Sequence, residues 1–211
     1  TVRLRELQFS LDYTDSDPFH TAAEGEQLRE FRAAGMKLYQ LSGRAKSSGV
    51  GLSGGWASVM QCDGRSNFGD GHLKWLTRFR QLEQLSVKSR SAKETLGSVT
   101  DEGMAHLLRN RMLRQLSLIG TSVTDEGLAA VARLPRLTHL WLDGLSVSEE
   151  GLRTLRKAKR LSWLGLNRTD LSPEAILQLN ALKLKSLELR DAGIGEAELQ
   201  AIGQLEKLEQ L

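Results

Sequence analysis

Residues 113–142, LRQLSLIGTSVTDEGLAAVARLPRLTHLWL, decide the fold. They open on Leu113, Leu116 and Leu118 and close on the same LxxLxL spacing at Leu137, Leu140 and Leu142, 24 residues later. Alternate leucines share one face of a strand, so each triplet reads as a strand with an apolar side. Between the triplets, Thr124-Asp125-Glu126 precedes Leu128, Val131 and Leu134, which recur at helical spacing. One unit is therefore strand, loop, helix, loop.

The unit repeats in both directions. Downstream, the triplet returns at Leu161, Leu164 and Leu166, then at Leu184, Leu187 and Leu189, and begins again at Leu208 and Leu211. Upstream it is Leu82, Leu85 and Val87, with seven extra residues between Lys88 and Ser98, and more weakly Met60 and Cys62. The helical half recurs in step: Val99-Thr100-Asp101-Glu102-Gly103, Val147-Ser148-Glu149-Glu150-Gly151, Leu171-Ser172-Pro173-Glu174-Ala175, and a degraded Phe68-Gly69-Asp70-Gly71. The Thr or Ser before the acidic residues is expected to cap the helix, and Pro173 suits a first helical position, where no N–H is needed. A lone unit cannot bury its apolar face. Stacked units share a core in which each leucine contributes about 2 kcal/mol of transfer free energy.

From about Trp56 to Leu211 the chain resembles the leucine-rich-repeat family, most closely the bacterial class whose units read LxxLxL followed by Thr-Asp-x-Gly-Leu. The resemblance implies an α/β solenoid, with a curved parallel sheet on the concave side and helices on the convex side. The chain departs from the pattern at Leu145, at the insertion after Lys88, and at Glu198, which replaces the helix glycine.

Residues 1–45 lack the full repeat. Leu7 to Tyr13 alternates like a strand, Thr21 to Ala34 reads as a helix and Met36 to Leu41 as a second strand. This segment is expected to be a small α+β cap, joined through a Gly/Ser-rich loop at 46–55 to a solenoid at 56–211 whose last repeat is incomplete. At Leu211 a new strand has begun and nothing follows it, as expected of a fragment of a longer protein or of an edge covered by a partner.

Composition narrows the function. Charged residues make up 26 % and hydrophobic residues 40 % of 211, with no apolar run long enough to span a membrane. A net charge of +3 does not by itself imply nucleic acid. The single Cys62 excludes an internal disulfide and reads as a small buried hydrophobe, and the compartment stays open. Gly49 to Gly54 spells GxGxxG, but it leads into a repeat strand rather than a helix, so it reads as a loop. Asn167-Arg168-Thr169 fits a glycosylation acceptor, a motif short enough to arise by chance. No nucleophile, base and metal set converges, so no enzyme and no cofactor are expected. His139 and Asp143 share a strand face, yet such a pair is ordinary surface more often than a metal site.

The outward strand positions are more informative. They form three columns: Gln84, Gln115, His139, Trp163, Ser186 and Gln210; Ser86, Ser117, Trp141, Gly165 and Glu188; Lys88, Ile119, Asp143, Asn167 and Arg190. Exposed tryptophan gains nothing for folding and is a common interface anchor. The expected partner-binding set is therefore Trp141 and Trp163, with Gly165 leaving space beside Trp141. His139, Asp143, Asn167, Glu188 and Arg190 form the rim. The expected partner is a protein, with this chain as a subunit of a larger complex. The alternative is a regulatory or targeting segment of a larger enzyme, or an anionic partner, nucleic acid or acidic protein, along a basic edge. Bases follow each helix, among them Arg133, Arg136, Lys157, Lys159 and Arg160, while acids open each helix. Complementarity to the helix dipole explains that pattern locally, and stacking would line the bases along one edge.

Overall fold

The computed structural model describes residues 36–42, 56–63, 69–77, 82–88 and 99–211. The expected first strand and helix of the cap, and the GxGxxG loop, lie outside these residues. The strands are β1 (Met36–Ser42), β2 (Trp56–Asp63), β3 (Leu82–Lys88), β4 (Gln115–Ile119), β5 (His139–Trp141), β6 (Trp163–Gly165) and β7 (Ser186–Glu188). The helices are α1 (Asp70–Leu76), α2 (Asp101–Leu107), α3 (Asp125–Val131), α4 (Glu149–Leu155), α5 (Pro173–Gln178) and α6 (Glu196–Ile202), with a 3₁₀ turn at Leu179–Ala181 after α5.

The strands form one sheet in chain order, β2 to β7 parallel and β1 antiparallel to β2. From α1 onward each helix packs against the next, so the helices make a second layer. This is a leucine-rich-repeat solenoid. The LxxLxL leucines from Leu113 to Leu187 are buried in one continuous core, together with Met104, Leu128, Leu152 and Ile176 from the helices. Met60 and Cys62 pair in register with Leu85 and Val87, so the weak upstream copy is a true strand of the sheet.

The helix starts differ from expectation. Thr100 and Thr124 occupy N-cap positions, yet neither side chain caps its own helix. Each hydroxyl instead donates to a carboxylate one coil back: Thr100 Oγ1 to Asp70 Oδ2 and Thr124 Oγ1 to Asp101 Oδ2, both at 2.6 Å. The backbone N–H of each threonine reaches the other oxygen of the same aspartate, at 2.9 and 2.8 Å. Ser148 repeats the contact with Asp125, and its Oγ also accepts from the Glu150 and Gly151 N–H groups. In the Thr124 coil the aspartate itself serves as the cap, since Asp101 Oδ1 also accepts the Gly127 N–H at 2.9 Å, and its charge strengthens each of these bonds.

The same carboxylate explains the helix glycine. A Cβ on Gly103, Gly127 or Gly151 would collide with Oδ1 of Asp70, Asp101 or Asp125. The ladder stops where glutamate replaces aspartate. Glu149 bonds Gln178 instead, and the position above it is Ala175, where Ser172 caps its own helix through the Ala175 N–H. Glu198, the third departure, accepts the Gly195 N–H at 2.9 Å and so closes the start of α6 itself. Leu145 is no polar loop residue because its position is internal: Thr121, Thr169 and Ala192 at the equivalent places are buried too. Among the described residues no helix is long and apolar enough to cross a membrane.

Candidate binding face

The parallel register turns the outward residues into columns across neighbouring strands. Gln115, His139, Trp163 and Ser186 are successive partners, as are Ser117, Trp141, Gly165 and Glu188. Strands stand about 4.8 Å apart, so side chains in one column touch. Three rings meet here. The Trp141 and Trp163 centroids lie 4.4 Å apart with the planes tilted by 43°. His139 stacks on both, at 6.0 Å from Trp141 and 6.1 Å from Trp163. All three rings are half-buried.

His139 is neutral in this setting, because burial lowers its pKa below the ordinary 6.5. Thr138 Oγ1 donates to the Arg114 carbonyl at 3.0 Å and lies 2.9 Å from His139 Nδ1. When the hydroxyl proton goes to the Arg114 carbonyl, Nδ1 is the donor to Thr138 and Nε2 an acceptor.

The space expected beside Trp141 is filled. Gly165 is buried, and a Cβ there would meet Trp163 Cη2 at 3.0 Å and Asp143 Oδ1 at 2.9 Å. The Trp163 ring and the Asp143 carboxylate both close on the glycine.

The rim residues form a relay across coils. Asp143 is only 7 % exposed. Its Oδ1 accepts the Asn167 N–H at 3.3 Å and its Oδ2 the Asn167 side-chain amide at 3.1 Å. The same amide donates to Glu188 Oε2 at 3.3 Å, and Asn167 Oδ1 accepts the Arg190 N–H at 2.7 Å. Asp143 and Asn167 thus join three coils, and the Arg190 side chain stays exposed. The glycosylation-type motif is tied into this relay, with Thr169 buried. Among the described residues no three His, Cys, Asp or Glu side chains gather in a metal-binding set. Two features had no signal in the sequence: the hydroxyls of Ser86 and Ser117, in the Trp141 column, are buried without a hydrogen-bond partner.

The basic residues lie in the turns between helix and next strand. Backbone bonds stack those turns, with Thr138 N–H on the Arg114 carbonyl, Ser162 on Thr138, Lys185 on Ser162 and Glu209 on Lys185. Arg133, Lys157, Lys159 and Arg160 are exposed and Arg136 half-buried. None takes part in an ion pair with a described residue, unlike Arg114 with Glu83, Arg153 with Glu150 and Lys185 with Glu209.

No protein-family model matches the sequence, and no curated protein does. Solved structures do. The chain is similar to internalin C2 of Listeria monocytogenes, at 15 % identity and a TM-score of 0.52, over 72 % of this chain and 69 % of that one. It also matches an internalin (inlF) of the same organism, at 15 % identity and a TM-score of 0.30, over 65 % of this chain and 63 % of that one. At such identity the first match bears on architecture alone, and it agrees with the stacked coils: the chain has the leucine-rich-repeat solenoid fold.

Proposed function

We propose that this chain is a non-enzymatic interaction module that binds a protein partner through the inner face of its sheet, with Trp141 and Trp163 as anchors. The observation that carries the reading is the indole pair, half-buried on adjacent strands of the sheet. Their tilted contact covers part of the apolar surface and leaves the rest for a partner. Asp143, Asn167, Glu188 and Arg190 give that surface a polar border held by bonds between coils. Preorganised aromatic anchors with a polar rim are the composition of interface hot spots. The partner is found by retention on the immobilised chain, and its affinity is then compared with a Trp141→Ala, Trp163→Ala variant. A loss of at least about thirtyfold is expected, matching a hot spot of about 2 kcal/mol. Equal affinity would sink the reading.

A second reading rests on the stacked turns. Residues 108–114, 132–138, 156–162 and 179–185 hold eleven Lys and Arg and no Asp or Glu, and the ladder of backbone bonds aligns them. Such an edge suits an anionic partner. Its affinity would fall steeply with salt and with substitution of Lys157, Lys159 and Arg160, whereas a flat salt response rejects it.

A further inference from the structure

We infer that the tryptophan site takes an arginine side chain of the partner; the inference rests on the interaction reading above and adds the chemistry of the group received. Two carboxylates border the rings. Asp143 Oδ1 and the edge of Trp163 converge over Gly165. Glu188 is the register partner of Gly165 on the far side from Trp141. The column therefore runs Trp141, Gly165, Glu188, an aromatic ring and a carboxylate about two strand spacings apart, with the Trp163 ring over the glycine between them.

No cation of the described chain neutralises these acids. Asp143 and Glu188 share the one Asn167 amide, and neither makes an ion pair. Arg190, one column over, gives its backbone N–H to Asn167 and no ion pair to either acid. His139, the remaining titratable group against the indoles, is neutral at pH 7. A negative, half-desolvated border around half-buried indoles attracts a cation, and ring faces add their own attraction. A guanidinium fits better than an ammonium. It is planar, so it stacks on an indole while its N–H fork reaches a carboxylate, and it is the more weakly hydrated of the two.

The probe is a phage-displayed library of random peptides, selected at low ionic strength on the intact 211-residue chain. Arginine is expected to be enriched among bound clones over the input. A selected peptide should lose about tenfold in affinity when its arginine becomes citrulline, and lose as much on Glu188→Gln. Glutamine keeps an oxygen for the Asn167 amide while removing the charge, and matching thermal unfolding confirms that the variant is folded. Peptides that need the two tryptophans but show no arginine preference overturn this inference and leave the interaction reading standing. Peptides that bind the Trp141→Ala, Trp163→Ala variant equally well overturn both. A pool with no enrichment also counts against it.

Discussion

A methyl group on Gly151 would meet the Asp125 carboxylate from the coil before it. Glycine to alanine within a helix ordinarily gains about 1 kcal/mol. Here the sign should reverse: Gly151→Ala is expected to lose about 1–3 kcal/mol by overpacking, read from the urea midpoint. The loss should shrink when Asp125 is also alanine, since the obstacle is then gone, and additive effects would refute the contact. His139 gives a second residue-scale test. Its folded pKa lies below 6.5 because burial disfavours the imidazolium. The unfolded chain therefore binds the proton first as pH falls. Stability from this group is full above 6.5, declines below it, and levels off beneath the folded pKa. Unfolding midpoints against pH should show that slope, and His139→Gln should remove it. Imidazole titration by NMR locates the folded value directly, and a value at or above 6.5 contradicts the desolvation argument.

Between elements, the relay from Asp143 through Asn167 to Glu188 and Arg190 fastens β5, β6 and β7 beyond their own short ladders. Asn167→Ala removes both amide bonds and leaves the buried Asp143 carboxylate only a backbone N–H, so a loss of about 1–3 kcal/mol is expected. A loss near zero would show the relay to be ornamental to folding. This is also the scale at which the sequence stops being legible. Period-two leucines specify which residues face inward and which pair across strands, so the columns around His139, Trp141 and Trp163 follow from spacing alone. Spacing does not say which coil a polar side chain will bond. Thr124 has the composition of a cap, and its hydroxyl goes to Asp101 instead. Asp143 points outward from its strand, yet the next coil's amide closes on it and buries it. Gly165 promises space that a neighbouring ring takes. Each of these depends on contacts 23 or 24 residues apart along the chain or on a rotamer, and neither is written in the local pattern.

At the scale of the molecule, stability in a solenoid is a sum over coils and their nearest neighbours, so protection should depend on position along the stack even where local geometry is constant. The turn amides supply the comparison. Thr138, Ser162, Lys185 and Glu209 each donate to the previous coil at 2.8, 3.0, 2.8 and 2.8 Å. Local hydrogen-bond strength predicts equal exchange for all four. The stack predicts otherwise. Thr138 lies between coils with fully buried leucine triplets on both sides, and Ser162 between one such triplet and Leu184, Leu187 and Leu189, of which only Leu189 is partly exposed. Glu209 lies in a coil that has an isolated bridge, Ser186 to Gln210, in place of a strand ladder, with Leu199 and Leu211 exposed at 55 % and 68 %. In native-state hydrogen exchange Glu209 should open at the lowest free energy, Lys185 next, and Thr138 and Ser162 near the global value. Added denaturant should merge the four as unfolding of the whole stack takes over. Equal protection from the outset would mean that the coils open as one cooperative unit, and the nearest-neighbour picture of this molecule would have to be abandoned.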